Sequence, residues 1–155
     1  MDLKMNNLVD AGMIEKLYQA SQAGVRVRLM VRGICVLRAG VKGLSDNIEV
    51  RSIVGRYLEH SRFHSFGNGG KTLTFISSAD WMTRNLDRRV EVTAPLLDAK
   101  LAEDIRTHFE RMWSDNTHAR LLLPDGTNAW VEAEPGAPLV QAQQGLYLEL
   151  KGREA

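Results

Sequence analysis

The fold is decided by the stretch Val25-Arg26-Val27-Arg28-Leu29-Met30-Val31-Arg32, in which Val, Val, Leu and Val alternate with Arg, Arg, Met and Arg. This alternation predicts a β-strand with one apolar face. A helix is predicted before it, because Asp10 can cap a segment that ends at Gly24. That segment carries four side chains on one face: Met13, Ile14, Leu17 and Tyr18. A helix joined to a strand by a short glycine turn is typical of α/β folds.

A strand should also precede this helix, but only about seven residues are left for it before Asp10. The pattern therefore predicts that the first strand is missing and that the chain is truncated at its start. A sheet without that strand would expose an open edge, and open edges pair with other chains. We therefore expect a homo-oligomer.

Further elements follow along the chain and predict an α/β sandwich, a mixed sheet flanked by helices. The clearest is a helix capped by Asp98 with an apolar stripe that ends in Met112 and Trp113. Residues 1–132 are assigned to this domain, and the Gln/Ala/Glu-rich residues 133–155 to a helical or extended tail. The remaining predictions are strands at 48–53, 62–66, 72–76 and 89–93, a short helix at 79–85, and hairpin turns at 67–70 and 124–126.

Composition excludes several classes of protein. Apolar residues make up 44% of the chain and charged residues 25%, which is typical of a soluble globular domain. The net charge of +1 gives no support to a nucleic-acid partner, and no apolar stretch approaches the ~20 residues of a membrane span. The single cysteine, Cys35, lies in an apolar run and is interpreted as a packing thiol in a reducing cytoplasm. Peripheral association with a membrane is left open.

Reactive side chains concentrate in three short stretches. Arg32 ends the decisive strand beside Gly33, at the position where open α/β sheets contact ligands, and its guanidinium matches the geometry of phosphate oxygens. His60 stands two residues before Arg62, so an imidazole can exchange a proton near neutral pH while a cation holds an anion. Residues 77–91 combine hydroxyls, a helix start and several arginines, Arg89 among them, in a pattern that suits a phosphate cradle.

Each of these stretches also has a plain structural interpretation. A lone histidine such as His60 is more often a surface or hydrogen-bonded residue than a catalytic one, and Arg89 suits a solvated face equally well. His64 and His108 are interpreted as structural. Four histidines without cysteine or paired-carboxylate spacing argue against a zinc site, so no metal ligand is assigned. From the residues alone, the chain is an anion-binding α/β domain.

Four runs of sequence, in the same order, resemble the last domain of type 1 polyphosphate kinases. The runs are residues 4–10, 31–35, 57–62 and 77–91, and the resemblance as a whole covers about residues 4–123. The resemblance implies a phospholipase-D-like fold, in which two similar halves each supply a His-x-Lys motif to one shared site. Here the motif reads His60-Ser61-Arg62, the downstream aspartate of phospholipase D falls at Gly67, and its Gly-Ser-x-Asn element reads Ser77-Ser78-Ala79-Asp80. These departures favour phosphoryl transfer over phosphodiester hydrolysis.

In enzymes of that kind a histidine of the preceding domain takes the γ-phosphate of ATP and passes it, reversibly, to polyphosphate. The resemblance implies that His60 is the second active-site histidine and that Arg32 binds the nucleotide phosphates. It leaves Arg89 and Arg62 as further phosphate contacts. Mg²⁺ is expected to accompany ATP, with its ligands on the domains upstream. Because the nucleophile would also lie there, we expect the chain alone to be inactive.

Two other functions stay open at this point. One is a phospholipase-D-like phosphodiesterase that works as a dimer of single halves, which His60 and Arg62 permit. The other is a non-catalytic module that binds polyanions, which the density of arginines allows.

Overall fold

The predicted strand at 25–32 is β2 (Val27–Val31), and it lies near the middle of an eight-stranded sheet in the computed structural model, which describes residues 1–153. None of the helices in that part of the chain is long and apolar enough to cross a membrane. The other elements are β1 (Asp2–Met5), α1 (Ala11–Gln22), β3 (Ile48–Ile53), β4 (Phe63–Phe66), β5 (Leu73–Ser77), α2 (Thr83–Arg88), β6 (Thr93–Pro95), α3 (Ala99–Trp113), β7 (Ala119–Leu122), β8 (Asn128–Trp130) and α4 (Ala142–Arg153).

The sheet is mixed, with the strand order β6-β5-β4-β1-β2-β3-β7-β8. Strands β1, β2 and β3 are parallel, whereas β4 pairs antiparallel with both β1 and β5. Strand β5 therefore points in the same direction as β1, and so does β8, which pairs antiparallel with β7 as β7 does with β3. Five strands thus have their carboxyl ends at one edge of the sheet, namely β1, β2, β3, β5 and β8. This arrangement confirms the predicted mixed α/β sheet flanked by helices.

The prediction that the first strand is missing was wrong. Residues Asp2–Met5 form β1, which lies inside the sheet between β2 and β4. Leu3 and Met5 are fully buried on one face, and Lys4 is buried on the other. A strand of four residues with a buried lysine has no visible alternation, so the pattern could not reveal it. Because β1 is an inner strand, the open edge from which we expected a homo-oligomer is absent at this position.

Two further elements begin later than predicted. Helix α2 begins at Thr83 instead of 79, because the backbone of Trp81 bonds to Asn7 and Val9 and cannot enter a helix. Strand β6 begins at Thr93 instead of 89. The predicted helix caps are confirmed, since Asp10 accepts a hydrogen bond from the Met13 amide and Asp98 caps α3. Both predicted hairpins, β4–β5 and β7–β8, are also present.

The sheet is covered on both faces, which the alternation in β2 did not indicate. On one face α1 packs its apolar stripe against Leu29 and Val31. On the other face Met30 packs with Phe109 and Trp113 of α3. Arg28, on the polar side of the alternation in β2, therefore lies on a covered face of the sheet instead of in solvent. It forms ion pairs with Asp2 and Glu110, and its guanidinium lies 5.0 Å from the centre of the Phe109 ring.

Asp115 joins the end of α3 to the start of α4. Its Oδ1 accepts hydrogen bonds from the backbone amides of Thr117, His118 and Ala119, and its Oδ2 accepts one from the amide of Ala142 at 2.7 Å. The carboxylate is fully buried, and burial opposes its charge, but these four donors lower its pKa below the usual value. The carboxylate thus fixes α4 against α3.

The division of the chain into a domain at residues 1–132 and a tail at 133–155 stays a prediction. Residues 154 and 155 lie outside the described part.

Replacing Asp115 tests this junction. Asp115→Ala leaves four amide groups without their acceptor, and we expect a loss of about 3 kcal/mol in the free energy of unfolding. Urea denaturation followed by circular dichroism measures it. Asp125→Ala is the matched control, because Asp125 also accepts from a backbone amide, that of Thr127, but in an exposed turn. Equal midpoints for the two variants would contradict a role for Asp115 in stability.

Candidate functional site

The predicted functional stretches meet at the edge of the sheet where β1, β2, β3 and β5 have their carboxyl ends. Asn6 and Asn7 follow β1, Arg32 follows β2, residues 54–62 follow β3, and Asp80 follows β5 by three positions. Ligands of open α/β sheets bind at this edge, because the loops there converge and leave a crevice. The topology alone therefore brings together stretches that are far apart in the sequence.

Asp80 is the centre of the hydrogen bonds at this edge. Its Oδ1 accepts from the amide of Asn6 at 2.8 Å and from Nε of Arg62 at 2.9 Å, while its Oδ2 accepts from Nδ2 of Asn7 at 2.9 Å. Burial tends to raise the pKa of Asp80, but the bonds from Arg62, Asn7 and Asn6 outweigh it and lower the pKa to about 2. The carboxylate is therefore ionised at neutral pH and holds Arg62 in place.

Asn6 links the two residues on which the sequence analysis placed the chemistry. Its Oδ1 accepts a hydrogen bond from Nε of Arg32 at 3.2 Å, and its Nδ2 donates to the carbonyl of His60 at 3.4 Å. The side chain of His60 is exposed and Arg32 is half-buried, so a ligand can reach both. They line separate cavities, of about 440 Å³ for His60 and about 460 Å³ for Arg32. The structure thus brings Arg32 and His60 to one edge, with Asn6 between them.

Lys4 lies beneath the loop that carries His60. Its Nζ donates to the carbonyls of Glu59 at 3.1 Å and Ser61 at 3.0 Å, and it lies 3.7 Å from the Glu59 carboxylate. The pKa of Lys4 is lowered to about 8, first by burial and then by the charges of Arg32 and Arg62, while Glu59 opposes the shift. Together Lys4 and Asn6 hold three successive carbonyls, so β1 fixes the backbone on which His60 sits.

The two weaker candidates, Arg62 and Arg89, differ in their surroundings. Arg62 donates to Asp80 and, through Nη1, to the carbonyl of His60 at 3.2 Å, so the protein itself engages each of its nitrogens. Arg89 is exposed. Its charge contributes to the lowered pKa of Glu91, which is due first to the hydrogen bond from Ser78. Contact of either arginine with phosphate stays a prediction.

The predicted cradle at 77–91 uses its own polar groups internally. Glu91 accepts hydrogen bonds from the Ser78 hydroxyl and from Nδ2 of Asn85, the latter at 2.7 Å. The Ser78 hydroxyl in turn accepts from the amide of Val92. These contacts stabilise the segment. They also use the Ser78 hydroxyl, one of the hydroxyls that the sequence pattern predicted to bind phosphate.

Several other side chains can be assigned from their environment. Burial raises the pKa of Cys35 to about 11, so its thiol is neutral at pH 7 and unsuited to nucleophilic attack. Burial lowers the pKa of His64 to about 4, and its ring packs on Trp81 as a structural residue.

Within residues 1–153, no three His, Cys, Asp or Glu side chains are grouped to hold a metal ion. Asp80, the acidic group at the centre of the site, is already occupied by Arg62, Asn6 and Asn7.

Sequence reasoning missed four residues that build this site. Lys4, Asn6, Asn7 and Asp80 all lie in runs that had been singled out, but no role was assigned to them. A usable signal was present, because polar side chains that directly follow or interrupt a buried strand must find partners.

Comparison with known proteins agrees with this architecture. The sequence profile described as "Polyphosphate kinase C-terminal domain 2" matches residues 1–143. A polyphosphate kinase of Lactiplantibacillus plantarum is 55% identical over 130 residues, which are 84% of this chain and 18% of that protein. The chain thus spans about a fifth of the length of the curated relatives that it matches.

Solved structures give the same result. The crystal structure of polyphosphate kinase from Porphyromonas gingivalis superposes with a TM-score of 0.93 at 44% identity, over 99% of this chain and 23% of that one. Nuc from Salmonella typhimurium, a phospholipase D family member, has a TM-score of 0.56 at 13% identity, over 78% of this chain and 80% of that one. The second likeness shows that the fold is phospholipase-D-like. From the profile, the sequence identity and the superposition together, the chain belongs to the polyphosphate kinase family, as its C-terminal domain 2.

Proposed function

We propose that this domain is one half of the active site of a polyphosphate kinase, which transfers the γ-phosphate of ATP reversibly to polyphosphate through a phosphohistidine on a preceding domain. The observation that supports it best is the link through Asn6, which holds Arg32 and His60 at the carboxyl edge of the sheet. The proposed substrates are ATP and polyphosphate, and the proposed partners are the preceding domains. A cytoplasmic location and a homo-oligomeric state also stay predictions.

The chemistry of phosphoryl transfer suits this arrangement of charges. In the transition state negative charge spreads over the equatorial oxygens of the transferring group, and fixed cations stabilise it most. Arg32 offers guanidinium donors to the nucleotide phosphates, and the exposed imidazole of His60 can bind a phosphate oxygen or give it a proton. The Asp80–Arg62 ion pair and Lys4 hold the backbone around them, so little needs to reorganise when the substrate arrives.

The proposed nucleophile is a histidine outside this chain. A phosphoryl group on an imidazole nitrogen is labile, so such an intermediate can pass its phosphate in either direction. Mg²⁺ would neutralise charge on the phosphates of ATP. The residues of this site do not fit a Mg²⁺ ligand set, because the carboxylate of Asp80 is already taken up by protein donors.

A phosphodiesterase is the second candidate, because the fold is phospholipase-D-like. The position of the phospholipase D aspartate falls at Gly67, which follows β4 and therefore lies at the opposite edge of the sheet from His60. Asp80, at the end of the altered Gly-Ser-x-Asn element, is committed to Arg62. Both observations favour phosphoryl transfer over hydrolysis.

Two assays of the purified chain separate these functions. Because the nucleophile is proposed to lie on another domain, we expect no polyphosphate synthesis from ATP and Mg²⁺ by the chain alone, as measured with radiolabelled ATP. We also expect no release of nitrophenol from bis-p-nitrophenyl phosphate. Synthesis by the isolated chain would contradict the division of the site between domains, and nitrophenol release that His60→Ala abolishes would favour the phosphodiesterase.

Binding of polyphosphate tests the role of Arg32. We expect Arg32→Ala to weaken the affinity of the chain for a short polyphosphate about tenfold or more, since a charge-assisted hydrogen bond to phosphate is lost. Isothermal titration calorimetry at fixed salt measures the change. Arg26→Ala is the matched control, because it removes the same charge from an exposed residue that precedes β2, at the opposite edge. An equal loss of affinity in Arg32→Ala and Arg26→Ala would show that polyphosphate binds to a diffuse basic surface and not to a specific site.

The Asp80–Arg62 ion pair predicts a pH-dependent contribution to stability. The pKa of Asp80 falls from 3.8 to about 2 on folding, which corresponds to about 2 kcal/mol at neutral pH. Because the folded pKa is the lower one, this contribution is present above pH ~4 and is lost as the pH falls towards 2.

We expect Asp80→Asn to lower the free energy of unfolding at pH 7 by about this amount, and the difference from wild type to shrink between pH 4 and pH 2.5. Urea denaturation at several pH values measures it. The exposed Asp87 provides a control, Asp87→Asn. A difference that stays constant with pH would rule out the ion pair as its source.

A further inference from the structure

The loop at residues 54–62 carries His60 and has no secondary structure of its own. It leaves β3, crosses the carboxyl ends of β2 and β1, and enters β4 on the far side. Its inner side is held by Lys4 and Asn6. Its outer side faces α4 across a cavity of about 440 Å³ that His60 itself lines. With a cavity in place of packed side chains, the loop depends on a small number of specific contacts.

Gln143, in the first turn of α4, supplies the hydrogen bonds on that outer side. Its Oε1 accepts from the amide of Tyr57 at 3.0 Å, and its Nε2 donates to the carbonyl of Tyr57 at 2.7 Å. One side-chain amide thus satisfies both backbone groups of a loop residue, as a neighbouring strand would. The same Nε2 donates to the Glu59 carboxylate at 2.9 Å, next to His60. The ring of Tyr147, one turn along α4, stacks on Tyr57 with 6.2 Å between centroids.

Gly55 makes room for this amide. A Cβ atom at position 55 would lie 2.5 Å from Oε1 of Gln143, which is closer than real contacts allow. Any larger residue there would displace the glutamine side chain from Tyr57. The contact between the loop and α4 therefore needs a particular residue on each side, Gly55 in the loop and Gln143 in the helix.

Helix α4 can serve as a firm support because it is itself anchored. Asp115 holds the amide of Ala142, the first residue of the helix, and Arg111 of α3 forms an ion pair with Glu149. A continuous series of contacts thus runs from the end of α3 through α4 and Gln143 to the backbone beside His60.

We propose that Gln143 is a positioning residue, and that α4 acts through it to fix the loop that carries His60. This role rests on the proposed function, in which His60 contacts the transferring phosphoryl group. Gln143 does not touch the substrate. It orders the loop before substrate binds, so less conformational entropy is lost when His60 meets phosphate.

Hydrogen exchange in the 155-residue chain tests the structural part. We expect Gln143→Ala to speed exchange of the Tyr57 amide about tenfold, because its acceptor is lost, with a smaller effect at His60 and none in β1 or β2. Gln144→Ala is the matched control, since the neighbouring glutamine makes none of these loop contacts within the described residues. Gly55→Ala should reproduce the effect of Gln143→Ala, and the double variant should exceed neither single variant.

A spectroscopic measurement tests whether the order of the loop matters to His60. In wild type we expect tripolyphosphate to shift the ring signals of His60 in NMR spectra. In Gln143→Ala the affinity for tripolyphosphate should fall about threefold to tenfold while the melting temperature changes little, as expected when loop order alone is lost.

The outcomes separate the two proposals. Two results would overturn the role of Gln143 in fixing the loop. One is that the Tyr57 amide exchanges equally fast in Gln143→Ala and Gln144→Ala, and the other is that exchange in Gln143→Ala is faster throughout the chain. Faster exchange at Tyr57 with unchanged affinity would overturn its role in positioning His60. No shift of the His60 signals in wild type would count against the proposed function, while the exchange rates would still decide whether Gln143 fixes the loop.

Discussion

The buried carboxylate of Asp80 is the interaction on which the arrangement of the site depends. Asp80 follows β5, whereas Asn6 and Asn7 follow β1 and Arg62 precedes β4. These last three residues all donate hydrogen bonds to the two carboxylate oxygens of Asp80. A buried charge is costly unless several donors surround it. The carboxylate therefore requires these three segments to take one arrangement, and that arrangement leaves Arg32 and His60 accessible at the edge of the sheet.

The side chains that carry the proposed chemistry and those that support them come from different parts of the fold. Arg32 and His60 face outward from loops, whereas Lys4 and Asn6 project from the end of a buried inner strand. A loop alone would hold an imidazole poorly, because its backbone has many accessible conformations. Hydrogen bonds from a rigid strand to three successive carbonyls reduce that freedom. The position of the exposed His60 is therefore set by residues that belong to the core of the domain.

The sequence predicted the helices and strands that have a long local pattern. It did not predict an element whose existence or first residue depends on contacts between distant parts of the chain. Helices α1 and α3 and strand β2 are clear because their apolar periodicity extends over several turns or residues. Strand β1 escaped detection since it is four residues long and contains a buried lysine, and α2 was placed too early because the backbone of Trp81 bonds to Asn7 and Val9, beyond the end of β1.

The same reasoning applies to the site. Its place at a strand end suggested Arg32, and its spacing to Arg62 suggested His60. Their proximity to one edge is observed, while their roles stay predictions. For the supporting residues the sequence indicated only that a polar side chain beside a buried strand needs a partner, and it did not indicate which partner. Lys4 meets Ser61 across 57 positions, Asn6 meets Asp80 across 74, and Gln143 meets Tyr57 across 86. Pairs so distant in sequence leave no periodic pattern, and only the folded topology reveals them.

The inner position of β1 has a consequence for the integrity of the whole sheet. In the described sheet, β1 is the strand that joins β4, β5 and β6 on one side to β2, β3, β7 and β8 on the other. Without residues 2–5 the molecule would consist of a three-stranded and a four-stranded fragment, each exposing a newly unpaired and apolar border. Arg62 and His60 precede one fragment, and Arg32 belongs to the other. Loss of residues 2–5 would therefore separate the strand that ends beside the Arg32 guanidinium from the strand that begins after the His60 imidazole, although neither residue would have been removed.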